Sequence, residues 1–188
     1  KFSGANAIYT NFINEDISLI KKAKELGLFI VHEMFTVPNI GLIHYEEKKR
    51  FPELSQNSSN LSEIHNGMAL DLQKWELSDQ ILVPSIFCKK TAIEMGADPK
   101  KISLVPYGIH EKNFNLKPSP EIGRIIFVGD VSLGKGIHYL AEAAKILHSY
   151  SKKYNFVVLG NLKIDINNSL FDGLNFLRHI PRKLVIKE

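Results

Sequence analysis

The residues best suited to chemistry lie in one stretch, Val128-Gly-Asp-Val-Ser-Leu-Gly-Lys-Gly136. Gly129, Lys135 and Gly136 stand between a short apolar run, Ile125-Ile-Phe-Val128, and a segment with apolar residues at Ile137, Leu140, Ala141, Ala144 and Leu147. The run predicts a strand covered on both faces, and the segment predicts a helix with one apolar side. A strand that turns through glycines into a helix aims backbone N–H groups and the positive end of the helix dipole at one place. A phosphate suits that place, and Lys135 adds a full charge to it. A glycine-rich turn by itself also describes an ordinary strand-to-helix connection with a surface lysine.

The elements that position this loop follow from the same patterns. Asn14 is placed to cap a helix whose first turn carries Glu15 and Asp16. Ile17, Leu19, Ile20, Ala23 and Leu26 form its apolar side, and Gly27 closes it. Leu28-Phe-Ile-Val31 reads as a buried strand ending on His32-Glu33. A helical stretch over 40–54 carries Glu46-Glu-Lys-Lys-Arg50 as a solvated face, and Gln56-Asn-Ser-Ser-Asn60 interrupts it. A helix over 61–77 and a strand over 80–84 follow; Ser85 then caps a helix ending at Met95-Gly96. Trp75 and Phe87 read as core. A strand over 101–106 closes at Tyr107-Gly108.

Residues 110–123 change in composition, with Asn, Lys, Pro, Ser and Gly in place of apolar positions. Beyond them the alternation resumes: strand 124–129, helix 136–150, strand 155–159 and a weak strand at Leu174-Asn-Phe-Leu177. Strands separated by helices imply parallel sheets. The expected organisation is an α/β domain over 1–110, a linker over 111–123 and a second α/β piece over 124–188.

Composition narrows the function classes. The 188 residues are 44% hydrophobic and 23% charged, an ordinary globular balance. A net charge of +4 permits contact with phosphates without demanding nucleic acid. Cys88 is the only cysteine, which excludes an intramolecular disulfide and a cysteine-based zinc site and fits a reducing compartment. His44, His65, His138, His148 and His179 have no ligand spacing, so no metal site is expected. No run approaches the roughly 18 apolar residues of a membrane span. Lys21, Lys22 and Lys24 suit either solvent or an anionic membrane surface. The first residue is Lys, and the last ones read as the opening turns of a helix, so an internal fragment is expected.

Four blocks, in order, carry a family resemblance. They are Leu77-Ser-Asp-Gln-Ile-Leu-Val-Pro-Ser-Ile-Phe87, Gly96-Ala-Asp-Pro-Lys-Lys-Ile-Ser-Leu-Val-Pro-Tyr-Gly-Ile109, Phe114, and Phe127-Val-Gly-Asp-Val-Ser-Leu-Gly-Lys-Gly136. Over about residues 70–180 the chain resembles the retaining GT-B glycosyltransferases of family four, and it does so more loosely through Ile30-Val-His-Glu33 and Glu46-Glu47.

The resemblance implies two Rossmann-like domains with parallel sheets, facing each other across a cleft and both incomplete in this chain. It implies hexose transfer from a nucleotide-sugar donor to a glycan, lipid or small-molecule acceptor with retention. No metal or resident cofactor takes part; the nucleotide sugar is a co-substrate. Gly129 lets the donor diphosphate approach, Lys135 contacts its phosphates, and Gly136 opens the following helix. A fixed cation there stabilises the charge of the leaving diphosphate, by about 3–4 kcal/mol if it matches an oxyanion-hole donor. His32 takes the place of the histidine that lies near the reacting sugar. Cytoplasmic location follows, with peripheral contact at the inner face of the membrane as a further expectation.

The chain departs from the pattern at Asp130, where many members carry a phosphate-clamping arginine, and at His110, where aspartate is usual. The family's paired glutamates would fall beyond Glu188, and its first glycine-rich loop before Lys1. Two other classes fit the residues: a non-catalytic nucleotide-binding α/β module, and a GT-B nucleotide-sugar epimerase.

Overall fold

The structure, a computed structural model, describes residues 4–11, 17–55, 60–111, 119–151, 153–181 and 185. The cap at Asn14 and most of the linker, 112–118, lie outside these. The chain divides into two compact units, residues 1–42 with 60–114, and residues 43–59 with 115–188. Residues 43–59 thus belong with the second unit, although they precede the third helix in sequence.

The first unit holds strands β1 (Ala7–Thr10), β2 (Phe29–Glu33), β3 (Gln80–Val83) and β4 (Ile102–Leu104), paired in that order and all parallel. Its helices are α1 (Ile17–Glu25), α3 (Leu61–Leu77) and α4 (Ile86–Glu94), and α2 (Ile40–Arg50) begins in it. Parallel neighbours cannot be joined by a hairpin, so crossover segments link them. β1 has no counterpart in the sequence reading: it has four residues, none of them buried. The helix ends behave as read. Leu28 N–H donates to Ala23 and Gly27 N–H to Lys24, and the same pair of bonds recurs at Ala97 and Gly96. Ser85 Oγ accepts from Cys88 N–H at 3.1 Å, capping α4.

Ile20, Ala23, Leu28 and Ile30 form one core cluster; Met34, Trp75, Ile81, Val83, Cys88 and Ala92 lie in a second. Each such isoleucine or valine contributes about 1.5–3 kcal/mol on leaving water. Two expectations are corrected here. Phe87 is 59% exposed, and Leu19 and Leu26 also face outward, because α1 buries only Ile20 and Ala23 fully.

The second unit holds β5 (Arg124–Val128), α5 (Ile137–Tyr150), β6 (Asn155–Leu159) and β7 (Leu174–Arg178), with sheet order β5-β6-β7, all parallel. β6 is central and buried at four of its five positions. β5 is an edge strand, and Ile126 and Val128 remain exposed on one of its faces. Among the described residues it is covered on one face only, against the two-sided burial its apolar run predicts. Its core joins Ile137, Ala141 and Ala144 of α5 to Phe156, Val158, Phe171 and Leu54.

Candidate functional site

In open α/β sheets ligands bind outside the carboxyl ends of the strands. In the second unit a crevice of about 400 Å³ lies there, lined by Gly129 and Asp130 after β5, Gly160 and Asn161 after β6, and His179 after β7. The loops after β5 and β6 are laced together. Gly129 N–H donates to Leu159 at 2.9 Å, Val131 N–H to Asn161 at 2.8 Å, and Lys163 N–H to Val131 at 3.0 Å. Gly160 is what allows them to meet, since a Cβ there would collide with the Gly129 carbonyl. Gly160 was not among the residues the sequence singled out, although the repeated strand-then-glycine step, Val128-Gly129 and Leu159-Gly160, would have marked it.

Asp130 turns to the neighbouring loop, where its Oδ1 accepts from Asn161 Nδ2 at 3.2 Å. Lys135 closes a short 3-10 turn, Leu133–Lys135, and is exposed. Gly136 takes φ +74°, a left-handed conformation that ends this turn and begins α5. The N–H groups of Gly129, Val131, Lys135 and Gly136 all bond to carbonyls of their own unit. Those four amides are therefore not open to a ligand, whereas the Lys135 ammonium is exposed.

His32 belongs to the first unit, at the C-terminal end of β2. With Glu33, Asp71, Lys74 and Trp75 it lines a cavity of about 210 Å³. Burial, seconded by the charge of Lys74, pushes the His32 imidazole down to about 4, so it is neutral at physiological pH. Lys74 is itself only 8% exposed and pairs with Asp71 at 3.4 Å on the same helix. Burial pushes the Asp71 carboxyl up, against the pull of Lys74. Trp75 is core, as its sequence suggests, yet its buried indole Nε1 has no hydrogen-bond partner among the described residues. A neutral imidazole, an ammonium, carboxylates and an indole N–H around one cavity suit a polyhydroxylated ligand. Lys74 and Asp71 carry no motif, so only the fold reveals their place beside His32.

Among the described residues no group of three or more His, Cys, Asp or Glu is arranged to hold a metal ion, and no helix is long and apolar enough to cross a membrane.

No family model matches the chain, and no curated protein does. Solved structures do. The chain is similar to Anabaena Alr3699/HepE in complex with UDP and glucose at 13% identity, over 94% of this chain and 48% of that one, with a TM-score of 0.55. It is similar to the same protein in complex with UDP at 12% identity, over 89% and 47%, with a TM-score of 0.55. The chain thus spans about half the length of the structures it resembles. At this identity the likeness is one of fold, and the fold is α/β of the GT-B kind, with two Rossmann-like units built on parallel sheets.

Proposed function

We propose that this chain belongs to a glycosyltransferase of the family-four type, one that moves a hexose from a nucleotide-sugar donor to a glycan, lipid or small-molecule acceptor with retention. The observation that supports this most is the likeness, along 94% of the chain, to a structure holding UDP and glucose. The crevice at the strand ends of the second unit, with Gly129 in its lining, agrees with it; Lys135 is exposed but does not line that crevice.

In this reading Gly129 admits the donor diphosphate, Gly136 opens α5, and Lys135 offsets the charge that builds on the diphosphate as its bond to the sugar breaks. His32, neutral and buried, hydrogen-bonds the reacting sugar. The nucleotide sugar is a co-substrate, and neither a metal nor a resident cofactor takes part. The protein works in the cytoplasm, with peripheral contact at the inner face of the membrane.

Calorimetric titration of the chain with UDP, GDP and ADP tests the donor side. One of them should bind, and Lys135→Ala should weaken it by about 10- to 100-fold, the range of a charge-assisted contact of about 1.5–3 kcal/mol. Unchanged affinity in that variant would remove Lys135 from the site.

A further inference from the structure

A second cavity of the second unit, about 220 Å³, lies where α2, the turn Leu133–Lys135 and the segment after β6 meet. Three basic side chains, His44, Lys48 and Lys163, line it with the hydroxyl residues Ser55 and Ser132 and the backbone of Gly134. The rest of its lining is apolar, and no carboxylate belongs to it among the described residues. The crevice at the strand ends differs in holding Asp130 and no lysine.

We propose that this cavity binds a phosphate group, held by His44, Lys48 and Lys163, with Ser55 and Ser132 as hydroxyl donors. Lysine ammoniums and serine hydroxyls are the partners that phosphate oxygens select.

The backbone builds the cavity deliberately. Lys163 N–H donates to the Val131 carbonyl, which anchors the lysine one residue from Ser132. The His44 ring rests against Gly134, where a Cβ would overlap it. Gly134, which has no role in a diphosphate loop made of Gly129, Lys135 and Gly136, therefore makes room for the histidine. His44 keeps part of its surface in solvent, yet loss of hydration, then the charges of Lys48 and Lys135, hold its imidazole below the ordinary histidine value. The lining carries the Lys48 and Lys163 ammoniums, whose charge a bound anion offsets.

The site goes beyond the donor reading, because Gly129, Lys135 and Gly136 are not among its lining residues. The phosphate could come from a nucleoside diphosphate or from a separate phosphorylated sugar or lipid, and the test distinguishes these.

The whole chain is titrated with inorganic phosphate while the His44 ring resonances are followed by NMR. Saturable binding that moves those resonances is expected, with affinity reduced about tenfold, one charge-assisted contact, in Lys163→Ala and in Lys48→Ala. Lys163 is exposed, so its removal leaves the fold intact, and circular dichroism checks this. No saturable binding, or wild-type affinity in both variants, overturns the proposal. Repeating the titration with saturating UDP identifies the source. Displacement of phosphate assigns the site to the nucleotide's diphosphate, and undiminished binding assigns it to a separate phosphoryl group; either outcome supports the site. The UDP affinity of Lys135→Ala bears on the donor reading alone, so the two can fail separately.

Discussion

Glu47 and His138, 91 residues apart in sequence, meet with Oε2 3.1 Å from Nε2. The Tyr139 hydroxyl donates to the same oxygen at 2.9 Å, and Arg50 reaches Oε1 at 3.2 Å. His138 is wholly buried and packs against Phe51, with ring centroids 4.3 Å apart. Because an ionised carboxylate only accepts, Nε2 carries the proton in this pair. The contact fastens the segment 43–59 to the start of α5, within the same unit that holds both candidate anion sites.

Removing the carboxylate should therefore loosen the second unit. Glu47→Ala leaves the buried Nε2–H of His138 without its acceptor, a loss of about 1–3 kcal/mol. The pH dependence has a definite sign. Burial would raise the Glu47 carboxyl, but hydrogen bonds from Tyr139 and His138 and the charge of Arg50 outweigh it and hold it below the ordinary 4.5. A depressed carboxyl stabilises the fold above its ordinary value, and that contribution is lost as pH falls through its folded value. Denaturant unfolding of wild type and Glu47→Gln should thus differ at pH 7 and converge below pH 4.5. Equal stability at pH 7 would mean the contact does not hold the segment.

Gly160 should tolerate no side chain, and Gly134 should tolerate a small one. At Gly160 the added Cβ meets backbone, the Gly129 carbonyl, so the two loops must part; at Gly134 it meets the His44 ring, which can rotate away. Overpacking of the first kind costs about 1–3 kcal/mol or more. Gly160→Ala should accordingly lower the unfolding midpoint clearly, and Gly134→Ala should lower it by less. The reverse order would contradict the lacing of the loops after β5 and β6.

Most of the framework was legible because its signals are local. Gly27, Ser85 and Gly96 mark helix ends through bonds to neighbours in sequence, and the apolar runs at 80–83 and 155–159 are strands as read. What was hidden depends on distant partners. Glu46 to Arg50 reads as a solvated charge run, and for Glu46, Lys49 and Arg50 it is one, yet Glu47 is held by residues of α5. Ile125 to Val128 have the composition of a covered strand, but among the described residues only one face of β5 is packed, and Ile126 and Val128 on the other stay exposed. β1 is short with an unremarkable composition, and it becomes a strand only through its pairing with β2. For the site, glycine and lysine at the end of a strand were visible, whereas Lys74 beside His32 and Lys163 beside His44 come from elements 42 and 119 residues away in sequence.

The buried His32 gives the first unit its own acid sensitivity. Its folded value of about 4 lies below the ordinary 6.5, first because burial disfavours the charged ring and then because Lys74 repels it. Between these values the unfolded chain binds a proton that the folded chain refuses, so stability rises with pH across that interval. The contribution is complete above pH 6.5 and is lost progressively as pH falls toward 4. At about 1.4 kcal/mol per pH unit the whole interval amounts to ~3 kcal/mol. Trp75, the single tryptophan, lines the same cavity, so its fluorescence reports unfolding of this unit directly. Urea unfolding at pH 7.0, 5.5 and 4.5 should show falling stability in wild type and a flatter profile in His32→Asn. Chemical-shift titration should place the His32 ring near 4; a ring that titrates near 6.5, or parallel pH profiles in the two proteins, would show that His32 is charged in the fold and unsuited to act as a neutral sugar-binding group.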